Sequence, residues 1–557
     1  MSDTSTHEVF NQVPVYGDIN LYESDRTLQA AVKAEGGAWG QAEISALGQT
    51  LGTVDSFHQG HLANVYTPQL HSFDQRGYRS DQVEFHPAYH QFMSLSKASR
   101  IHCGAFDYLA ADTREKGQGI GTVRAAKHFM MGQVEAGHVC PITMTHAAIP
   151  TLQIQEELAD LWLPKMLSTE YDPAFKPVAE KAGVTIGMGM TEKQGGTDVR
   201  ANSTTATPVG QSGPGKPYHI TGHKWFMSAP MCDAFLVLAQ AEGGLSVFLV
   251  PRFRASGDIN GLQFQRLKNK LGNKSNASSE VEFRNAEGYL IGEEGRGIAN
   301  IMTMANYTRL DCALGSAGQM RQALARAHHH VSHRTVFQKK LIDQPMMTSL
   351  IADLTLESEA ATHLAMRLAG AYEGQYRGSE DDTAFARVMT PVIKYWVTKR
   401  APGFAYEAME CLGGNGYIED GIMARLYRDL PVNSIWEGSG SVMCLDLLRV
   451  LMREPGAVQS VLKWLQAGRG GSQAYDTALG ALVEMLSTSA VREADGRILC
   501  ERLATLAASR IMAERSPAVI ASAYTATRLD PHGKTGAYGA LLATIDGREI
   551  IQAAFGT

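Results

Sequence analysis

Glu437 is the residue whose sequence neighbours most directly suggest chemistry. It stands between Trp436 and Gly438 in the segment 433–440, NSIWEGSG. A carboxylate pressed into apolar surroundings has a raised pKa and can act as a general base. A surface or helix-capping glutamate is the commoner use of such a residue, so spacing alone leaves both interpretations open.

Two segments in the middle of the chain suggest a site for a flat or anionic ligand. Residues 190–199, MTEKQGGTDV, form a predicted loop whose small residues let backbone amides approach such a ligand. Residues 222–228, GHKWFMS, carry two aromatic side chains and a hydroxyl out of a predicted strand, which suits a ring system. The structural alternatives are a glycine turn between domains and an aromatic pair in a core.

Two later segments suggest phosphate recognition. Arg334 and Phe337 frame the sequence RTVF, Gln344 follows, and an arginine beside an aromatic ring can hold a phosphate and an adenine. Residues 412–417, LGGNGY, contain three glycines whose backbone amides can face a pyrophosphate. The alternatives are a solvated helix arginine and a plain helix C-cap with a turn.

The composition of the 557 residues excludes several classes of protein. Lys and Arg total 51 against 57 for Asp and Glu, so the net charge of −6 gives no global basic field for nucleic acid. Seven cysteines without a CxxC pair argue against a disulfide framework and a zinc ribbon, and fit a reducing compartment. The polar N-terminus and the lack of about 18 consecutive apolar residues predict a cytoplasmic protein with no membrane span.

Three apparent motifs are rejected on their chemistry. Residues 210–217 almost match a P-loop, but Pro217 replaces the hydroxyl that would hold magnesium, which favours a hairpin loop between strands. A strict GxGxxG does not occur, so a nicotinamide-binding domain has no support. The histidines at 328–330 and 333 have no carboxylate at a complementary spacing, so we predict a solvated helix end and no metal site.

The elements that must position these residues change type along the chain. Residues 1–183 have mainly helical spacing, residues 184–296 favour strands, and residues 297–453 return to long helices. The break at 453–456, REPG, predicts the end of a helix and a linker, after which residues 457–557 form a helical extension.

Taken in this order, the five segments resemble the acyl-CoA dehydrogenase flavoprotein family over about residues 40–452. VFNQ (9–12), CPITMT (140–145) and KLGNKSNAS (270–278) look like the branch of that family in the bacterial adaptive response to DNA alkylation. The resemblance implies a mostly α fold with a β middle domain. The expected parts are a helical N-terminal domain, a β-barrel-like middle domain, a four-helix C-terminal bundle and the helical C-terminal extension.

The resemblance also implies an activity, the α,β-dehydrogenation of an acyl-CoA by a homo-oligomer, expected to be a tetramer, with bound FAD. Glu437 would remove the α-proton while the β-hydrogen leaves as hydride to the flavin. Arg334, Phe337, Gln344 and the glycines at 413–414 would reach FAD from a partner subunit. The FAD-contacting residues implied by the family are Met190, Thr191, Gly196, Thr197, Phe226, Ser228, Arg334, Phe337, Gln344, Leu412, Gly413, Gly414, Ile435 and Ser439. The substrate-side residues implied are Arg309, Trp436 and Arg449.

The sequence departs from the family pattern around this site. Phe226 stands where the family has a flavin-stacking tryptophan, Gln338 replaces the glycine after RTVF, and Trp436 replaces a smaller tyrosine beside the base. Thr308 occupies the position of the alternative base in one branch of the family, which leaves Glu437 as the single candidate. Two functions stay open, acyl-CoA dehydrogenation and a DNA-associated flavoprotein whose FAD is structural or acts on alkylating agents.

The extension differs in charge from the rest of the chain. Residues 457–557, Lys534 among them, carry ten positive and nine negative charges, a net charge of +1 against −7 elsewhere. By resemblance this part associates with double-stranded DNA, so we predict weak binding independent of base sequence, led by Arg510 and Arg515. Most of its acids lie near a basic residue, a spacing that also fits a salt-bridged surface.

Overall fold

The structure, a computed structural model, describes residues 6–109, 118–487, 491–530 and 536–556. The chain forms two compact units. The sheet unit consists of His58–Gly315 and Ile435–Val442. The helical unit consists of Met1–Phe57, Ser316–Ser434 and Met443–Thr557. The predicted mostly α fold with a β middle domain is confirmed.

Helices and one hairpin precede the main sheet. The helices α5 (Ile120–Val134) and α6 (Val139–Leu152) are buried on nearly all sides, which explains why their sequences are rich in small and apolar residues. The elements of this stretch are α1 (Arg26–Ala34), α2 (Gln41–Leu51), α3 (Val54–Val65), β1 (Gln69–Phe73), β2 (Arg79–Glu84), α4 (Pro87–Ala98), α5 (Ile120–Val134), α6 (Val139–Leu152) and α7 (Glu156–Met166).

A seven-stranded sheet forms the centre of the sheet unit. Its strands are β3 (Ile186–Gly189), β4 (Thr205–Pro208), β5 (Pro217–Ser228), β6 (Ala234–Ala241), β7 (Gly244–Pro251), β8 (Leu262–Leu267) and β9 (Ser278–Ile291). They lie in the order β3-β5-β4-β6-β7-β9-β8. The strands β6 and β7 are continuous apolar runs that are almost entirely buried, as expected for the middle of a covered sheet. The loop 210–217 joins β4 to β5, which pair antiparallel, so the predicted hairpin loop is confirmed.

Long helices follow the sheet. These helices and their one small hairpin are α8 (Gly297–His333), β10 (Thr335–Val336), β11 (Lys339–Lys340), α9 (Pro345–Tyr376), α10 (Glu380–Glu410), α11 (Gly414–Tyr417), α12 (Met423–Asp429) and α13 (Gly440–Arg453). The extension adds α14 (Pro455–Gln466), α15 (Gln473–Ser487), α16 (Gly496–Arg515), α17 (Ala518–Arg528) and α18 (Gly547–Phe555).

The predicted linker at 453–456 is wrong. The helix α13 ends at Arg453 and α14 begins at Pro455, because proline suits the first turn of a helix, where its missing N–H is not needed. The extension lies in the same compact unit as α9 and α10, and Leu503 and Leu506 of α16 are buried. Its helices therefore contribute to the core of the helical unit.

Three general properties concern the described residues. None of their helices has an apolar stretch suited to crossing a membrane. No disulfide joins the seven cysteines, all of which lie within the described ranges. No group of three or more His, Cys, Asp or Glu side chains in those ranges could hold a metal ion.

Candidate functional site

Glu437 is held at both its side chain and its backbone in the sheet unit. Its φ of 58° and the 99° of Gly438 lie in the left-handed region, which is costly for a glutamate. Thr308 of α8 donates its hydroxyl to Oε2 of Glu437 across 2.7 Å, and Nε of Arg309 donates to the Glu437 carbonyl across 3.0 Å. Two adjacent residues of one helix thus fix the candidate base.

A buried ion pair holds α8 next to this contact. Arg124 of α5 donates to both carboxylate oxygens of Asp311, with 2.6 Å between Nη2 and Oδ2, and Thr143 of α6 donates to Oδ2 across 2.7 Å. Burial alone would raise the pKa of Asp311, but the Arg124 guanidinium holds it well below its usual range. Because Asp311 lies about one turn after Thr308, this cluster fixes the rotation of α8 beside the base.

The Cys140 thiol of α6 is close to both Glu437 and Ser228. It lies beside the side chains of Ser228 and Asn276, within electrostatic reach of Glu437 and Lys270. Burial raises the pKa of this thiol to about 12, and the Glu437 carboxylate adds to that effect, so Cys140 is neutral near pH 7. The fold therefore brings the candidate base and the candidate flavin-binding hydroxyl to one thiol.

The aromatic segment at the end of β5 presents one accessible ring. Phe226 is 50% exposed, whereas Trp225 is half-buried, with the Lys268 ammonium 3.2 Å from its ring centroid. Ser228 is half-buried, and its hydroxyl lies 3.0 Å from that of Ser278 on β9. Phe226 is thus the more exposed of the two rings, and its stacking on a flavin stays a prediction.

A buried ion pair that the sequence did not single out shapes the loop at 190–197. Glu192 Oε1 accepts from the Lys224 ammonium across 2.8 Å and from the Thr204 amide across 3.1 Å. Burial alone would raise the pKa of Glu192, but the bonds from Lys224 and Thr204 hold it below its usual range. The Thr191 carbonyl accepts from the Trp225 amide across 2.8 Å, so the loop is fastened to β5.

The other predicted residues of the sheet unit differ in exposure. Met190 and Trp436 are half-buried. Gly196, Thr197, Ile435 and Ser439 are exposed. A Cβ added to Gly196 would lie 2.4 Å from the Thr191 hydroxyl, so only glycine fits where the loop folds back.

The predicted phosphate arginine lies beside a small hairpin in the helical unit. Phe337 and Gln338 form the turn of β10–β11, both with positive φ, and Phe337 is 88% exposed. Nη1 of Arg334 donates to the Asn11 carbonyl across 2.6 Å, and the Asn11 amide bonds both backbone groups of Thr335. Gln344 donates to the Val336 carbonyl across 3.2 Å. The segment around Asn11 thus holds the hairpin that the RTVF motif forms.

The glycine motif after α10 is open to solvent. Leu412 is half-buried, Gly413 and Gly414 are exposed, and Gly413 has a φ of 60°. A Cβ added to either glycine would meet no atom within 4 Å, so packing within the described residues does not require glycine there. The open backbone leaves room for a ligand to approach closely.

The arginines predicted to lead DNA binding are engaged within the helical unit. Arg515 lies 2.7 Å from Glu35, and Arg510 stacks on Trp464 at 4.4 Å and pairs with Glu514 at 3.4 Å. Both arginine side chains are only 13% exposed. The prediction that these two lead phosphate contacts is wrong, because their charges are already paired. Lys534 lies outside the described residues.

Sequence reasoning assigned no role to four residues that shape the site. Cys140 and Asn276 stood in segments that resemble the family, CPITMT and KLGNKSNAS, which was a usable signal. Glu192 stood inside the first motif, and Asn11 in VFNQ, but no local pattern names their partners. Arg449, predicted on the substrate side, is exposed on α13.

The residues present fit a flavin. Both polar atoms of the Asn276 side chain are buried, and the polar side chain beside them is the Cys140 thiol, which hydrogen-bonds weakly. A buried amide whose hydrogen bonds are not made in full costs about 1–3 kcal/mol, so we expect a group that enters the site to bond it. The polar edge of a flavin ring offers both donors and acceptors, which matches the amide of Asn276 and the nearby hydroxyl of Ser228.

Three family models match the chain in the order of its segments. The N-terminal domain of the adaptive response protein AidB matches residues 11–173. The middle domain of acyl-CoA dehydrogenases matches residues 187–286, and their C-terminal domain matches residues 295–452.

Individual proteins agree with these models. The AidB protein of Escherichia coli K12 is 43% identical over 529 residues, which are 95% of each chain. Acyl-CoA dehydrogenase family member 11 of Caenorhabditis elegans is 31% identical over 82% of this chain and 74% of its own. The crystal structure of Caenorhabditis elegans ACDH-11 with C11-CoA has a TM-score of 0.82 at 24% identity, covering 100% of this chain and 94% of that one. This chain therefore belongs to the acyl-CoA dehydrogenase family of FAD-dependent oxidoreductases, in its AidB branch.

Proposed function

We propose that this chain catalyses the α,β-dehydrogenation of an acyl-CoA, with Glu437 as the base that takes the α-proton. The observation that carries the proposal is that Glu437 is held at two points. Thr308 donates a hydrogen bond to its carboxylate, and Arg309 donates one to its backbone carbonyl. Removal of the α-proton must be aligned with loss of the β-hydrogen, so a base held by two neighbours suits the reaction.

FAD supplies the acceptor for the β-hydrogen when it is bound. In the sheet unit we assign its binding to Met190, Thr191, Gly196, Thr197, Phe226, Ser228, Ile435 and Ser439, and we add Asn276. The ion pair between Glu192 and Lys224 supports this assignment, because it holds the loop in one shape.

We assign the substrate class to acyl-CoA thioesters. The Caenorhabditis elegans relative whose structure contains C11-CoA supports this class. Trp436 is half-buried beside the base, so we expect its ring to limit the space for the acyl chain. Arg309 would help the substrate side of the site by holding the backbone carbonyl of Glu437, to which it donates a hydrogen bond. Arg449 stays the weaker of the substrate-side assignments.

We assign a homo-oligomer, a tetramer, in the cytoplasm. The exposed Phe337 and the open backbone of Gly413 and Gly414 support the proposal that this hairpin and loop reach FAD of a partner subunit. Arg334, Gln344 and Leu412 belong to the same assignment. The cysteine pattern of the sequence supports a reducing compartment.

The experiment is anaerobic mixing of the purified protein with CoA thioesters of increasing acyl length while the flavin absorbance is followed. We expect bleaching in the wild type and a rate lower by about 10²–10⁴-fold in Glu437→Gln, which keeps the size of the side chain but removes the base. Bleaching at the wild-type rate in this variant, or no bleaching with any thioester in the wild type, contradicts the proposal.

A second candidate function is weak binding of duplex DNA as part of protection from alkylation. Its support is the exposure of Lys463, Arg469 and Arg497 in the extension, in contrast to Arg510 and Arg515. Each neutralised phosphate contributes a log–log salt slope of roughly −0.9, so we expect binding to fall steeply with salt.

Charge reversal tests this second function better than truncation, because the extension contributes to a core. We expect Lys463→Glu combined with Arg469→Glu to weaken retardation of duplex DNA and to leave the flavin in place. Lys216→Glu, an exposed charge in the loop between β4 and β5, is the matched control. Equal weakening by the control, or no retardation of DNA by the wild type at low salt, removes this candidate.

A further inference from the structure

The Thr308 hydroxyl has two acceptors within hydrogen-bond distance and only one proton to donate. Oε2 of Glu437 lies 2.7 Å away, and the carbonyl of Ala305, in the preceding turn of α8, lies 2.9 Å away. A protonated carboxyl group keeps a carbonyl oxygen that accepts a hydrogen bond, as a carboxylate oxygen does. Thr308 can therefore bond a carboxylate and a protonated carboxyl group in the same place.

We propose that Thr308 is a positioning residue that keeps Glu437 in one orientation before and after the base takes its proton. While Glu437 is ionised, the hydroxyl donates to Oε2. Once Oε1 has taken the proton, Oε2 is the carbonyl oxygen of a neutral carboxyl group, and the hydroxyl can still donate to it, with the Ala305 carbonyl as its second acceptor. The inference rests on the proposed role of Glu437 as the base.

The proton count of this step balances. The α-C–H bond would break, its proton moving to Oε1 of Glu437 and its electron pair staying on the acyl chain. That pair would form the new double bond as the β-hydrogen leaves with the electrons of its own bond, for which bound FAD would supply the acceptor. Thr308 gains and loses no proton, since its hydroxyl keeps its own hydrogen throughout.

Burial makes this hydroxyl hard to replace. Thr308 is 2% exposed, so water cannot readily take over its bond to Glu437. Polar groups near Glu437 include the Arg309 guanidinium of α8, which bonds the Glu437 carbonyl, and the neutral thiol of Cys140 of α6, on which the Glu437 carboxylate and the Lys270 ammonium both act electrostatically. Thr308 thus provides a direct hydrogen bond from α8 to the carboxylate.

The structure also predicts the direction of a pH effect. A bond donated to a carboxylate is charge-assisted and stronger than a bond donated to a neutral carboxyl group, so the hydroxyl favours the ionised base. Its loss should raise the pKa of Glu437 by about one pH unit.

The test compares Thr308→Val, which replaces the hydroxyl by a methyl group of similar size, with Thr308→Ser, which keeps the hydroxyl. Thr398→Val is the matched control, because the buried Thr398 donates to the Lys394 carbonyl across 2.7 Å on α10. We expect the pH midpoint of acyl-CoA-dependent bleaching to rise by about one unit in Thr308→Val. Thr308→Ser and Thr398→Val should keep the wild-type midpoint.

A second measurement does not depend on turnover. Glu437 of the holoenzyme is labelled with a water-soluble carbodiimide and glycine ethyl ester across a pH series, and the labelled peptide is quantified by mass spectrometry. Glu437→Gln gives the blank. The same one-unit rise of the labelling midpoint in Thr308→Val, reversed in Thr308→Ser, supports the role of Thr308.

The two measurements separate two kinds of failure. A labelling midpoint in Thr308→Val equal to that of the wild type overturns the role of Thr308, whatever the bleaching shows. A wild type that no acyl-CoA bleaches overturns the proposed function, while the labelling still decides the contact between Thr308 and Glu437.

Discussion

A single substitution on α9, Glu359→Gln, should stabilise the folded chain at alkaline pH. Glu359 is buried in the helical unit, where its Oε2 accepts from the Ser516 hydroxyl across 2.9 Å. Burial raises its pKa to about 7, and the nearby Asp25 carboxylate adds to the rise, against the smaller opposite effects of Ser516, Thr27 and Arg321. A glutamine keeps the shape and the acceptor but carries no charge.

The magnitude follows from the difference between the folded and unfolded pKa values. The folded pKa of about 7 lies above the ordinary 4.5, so the folded state binds the proton more tightly than the unfolded chain does. The contribution of this group to the free energy of unfolding is fully present below pH 4.5 and is lost as the pH rises through 7. At about 1.4 kcal/mol per unit of pKa, the loss by pH 8.5 is about 3 kcal/mol, which Glu359→Gln should recover.

A neighbouring glutamate supplies a control of opposite sign. Glu357 is also buried on α9, but Arg400 and Arg528 lie 2.9 Å and 3.0 Å from its carboxylate oxygens. Burial alone would raise the pKa of Glu357, but these two arginines lower it, so its stabilisation is present above its ordinary range. Glu357→Gln leaves buried arginines without that charge and should cost about 3–5 kcal/mol at both pH 5 and pH 8.5.

Urea unfolding followed by far-ultraviolet circular dichroism at pH 5 and pH 8.5 measures both effects. We expect Glu359→Gln to match the wild type at pH 5 and to unfold at higher urea at pH 8.5, whereas Glu357→Gln unfolds at lower urea at both. The electrostatic reasoning is refuted if the two variants shift in the same direction at pH 8.5, or if Glu359→Gln has no effect there.

Four further substitutions test the contacts around the cofactor site. Glu192→Gln removes the charge partner of the buried Lys224. We therefore expect lower thermal stability and faster loss of FAD on gel filtration than in the wild type. Unchanged FAD retention would show that the ion pair does not shape the loop. Asn276→Leu deletes the buried amide, and we expect FAD affinity to fall by about tenfold or more in equilibrium dialysis, with wild-type affinity as the contrary result. Arg334→Ala should weaken FAD retention, and Asn11→Ala should weaken it less, because Asn11 only holds the hairpin. A stable monomer of Arg334→Ala with a full complement of FAD would contradict the assignment of Arg334 to the FAD site of a partner subunit.

The sequence allowed the order of elements and the family to be predicted, because five ordered segments resemble those of the acyl-CoA dehydrogenases. The stretch 184–296, predicted to favour strands, contains β3 to β9, and its most deeply buried strands, β6 and β7, are the continuous apolar runs typical of covered strands. The linker prediction failed at Pro455, because proline both ends a helix and suits the first turn of the next one.

Contacts between distant parts of the chain could not be predicted in this way. Thr308 and Glu437 are 129 positions apart, and no periodic pattern encodes their hydrogen bond. The charge count of the extension was correct, but it could not reveal that Arg515 pairs with Glu35, near the beginning of the chain. Local sequence determines which groups are present, whereas tertiary packing decides which of them are already neutralised.

The most direct test of the central claim is exchange of the α-hydrogen of a bound acyl-CoA with solvent deuterium. The wild type and Glu437→Gln, both saturated with FAD and kept anaerobic, are incubated with the same thioester in deuterium oxide, and deuterium at the α-carbon is measured by mass spectrometry. We predict incorporation in the wild type and a rate at least about 10²-fold lower in Glu437→Gln. Equal incorporation in the two proteins would contradict the assignment of Glu437 as the base.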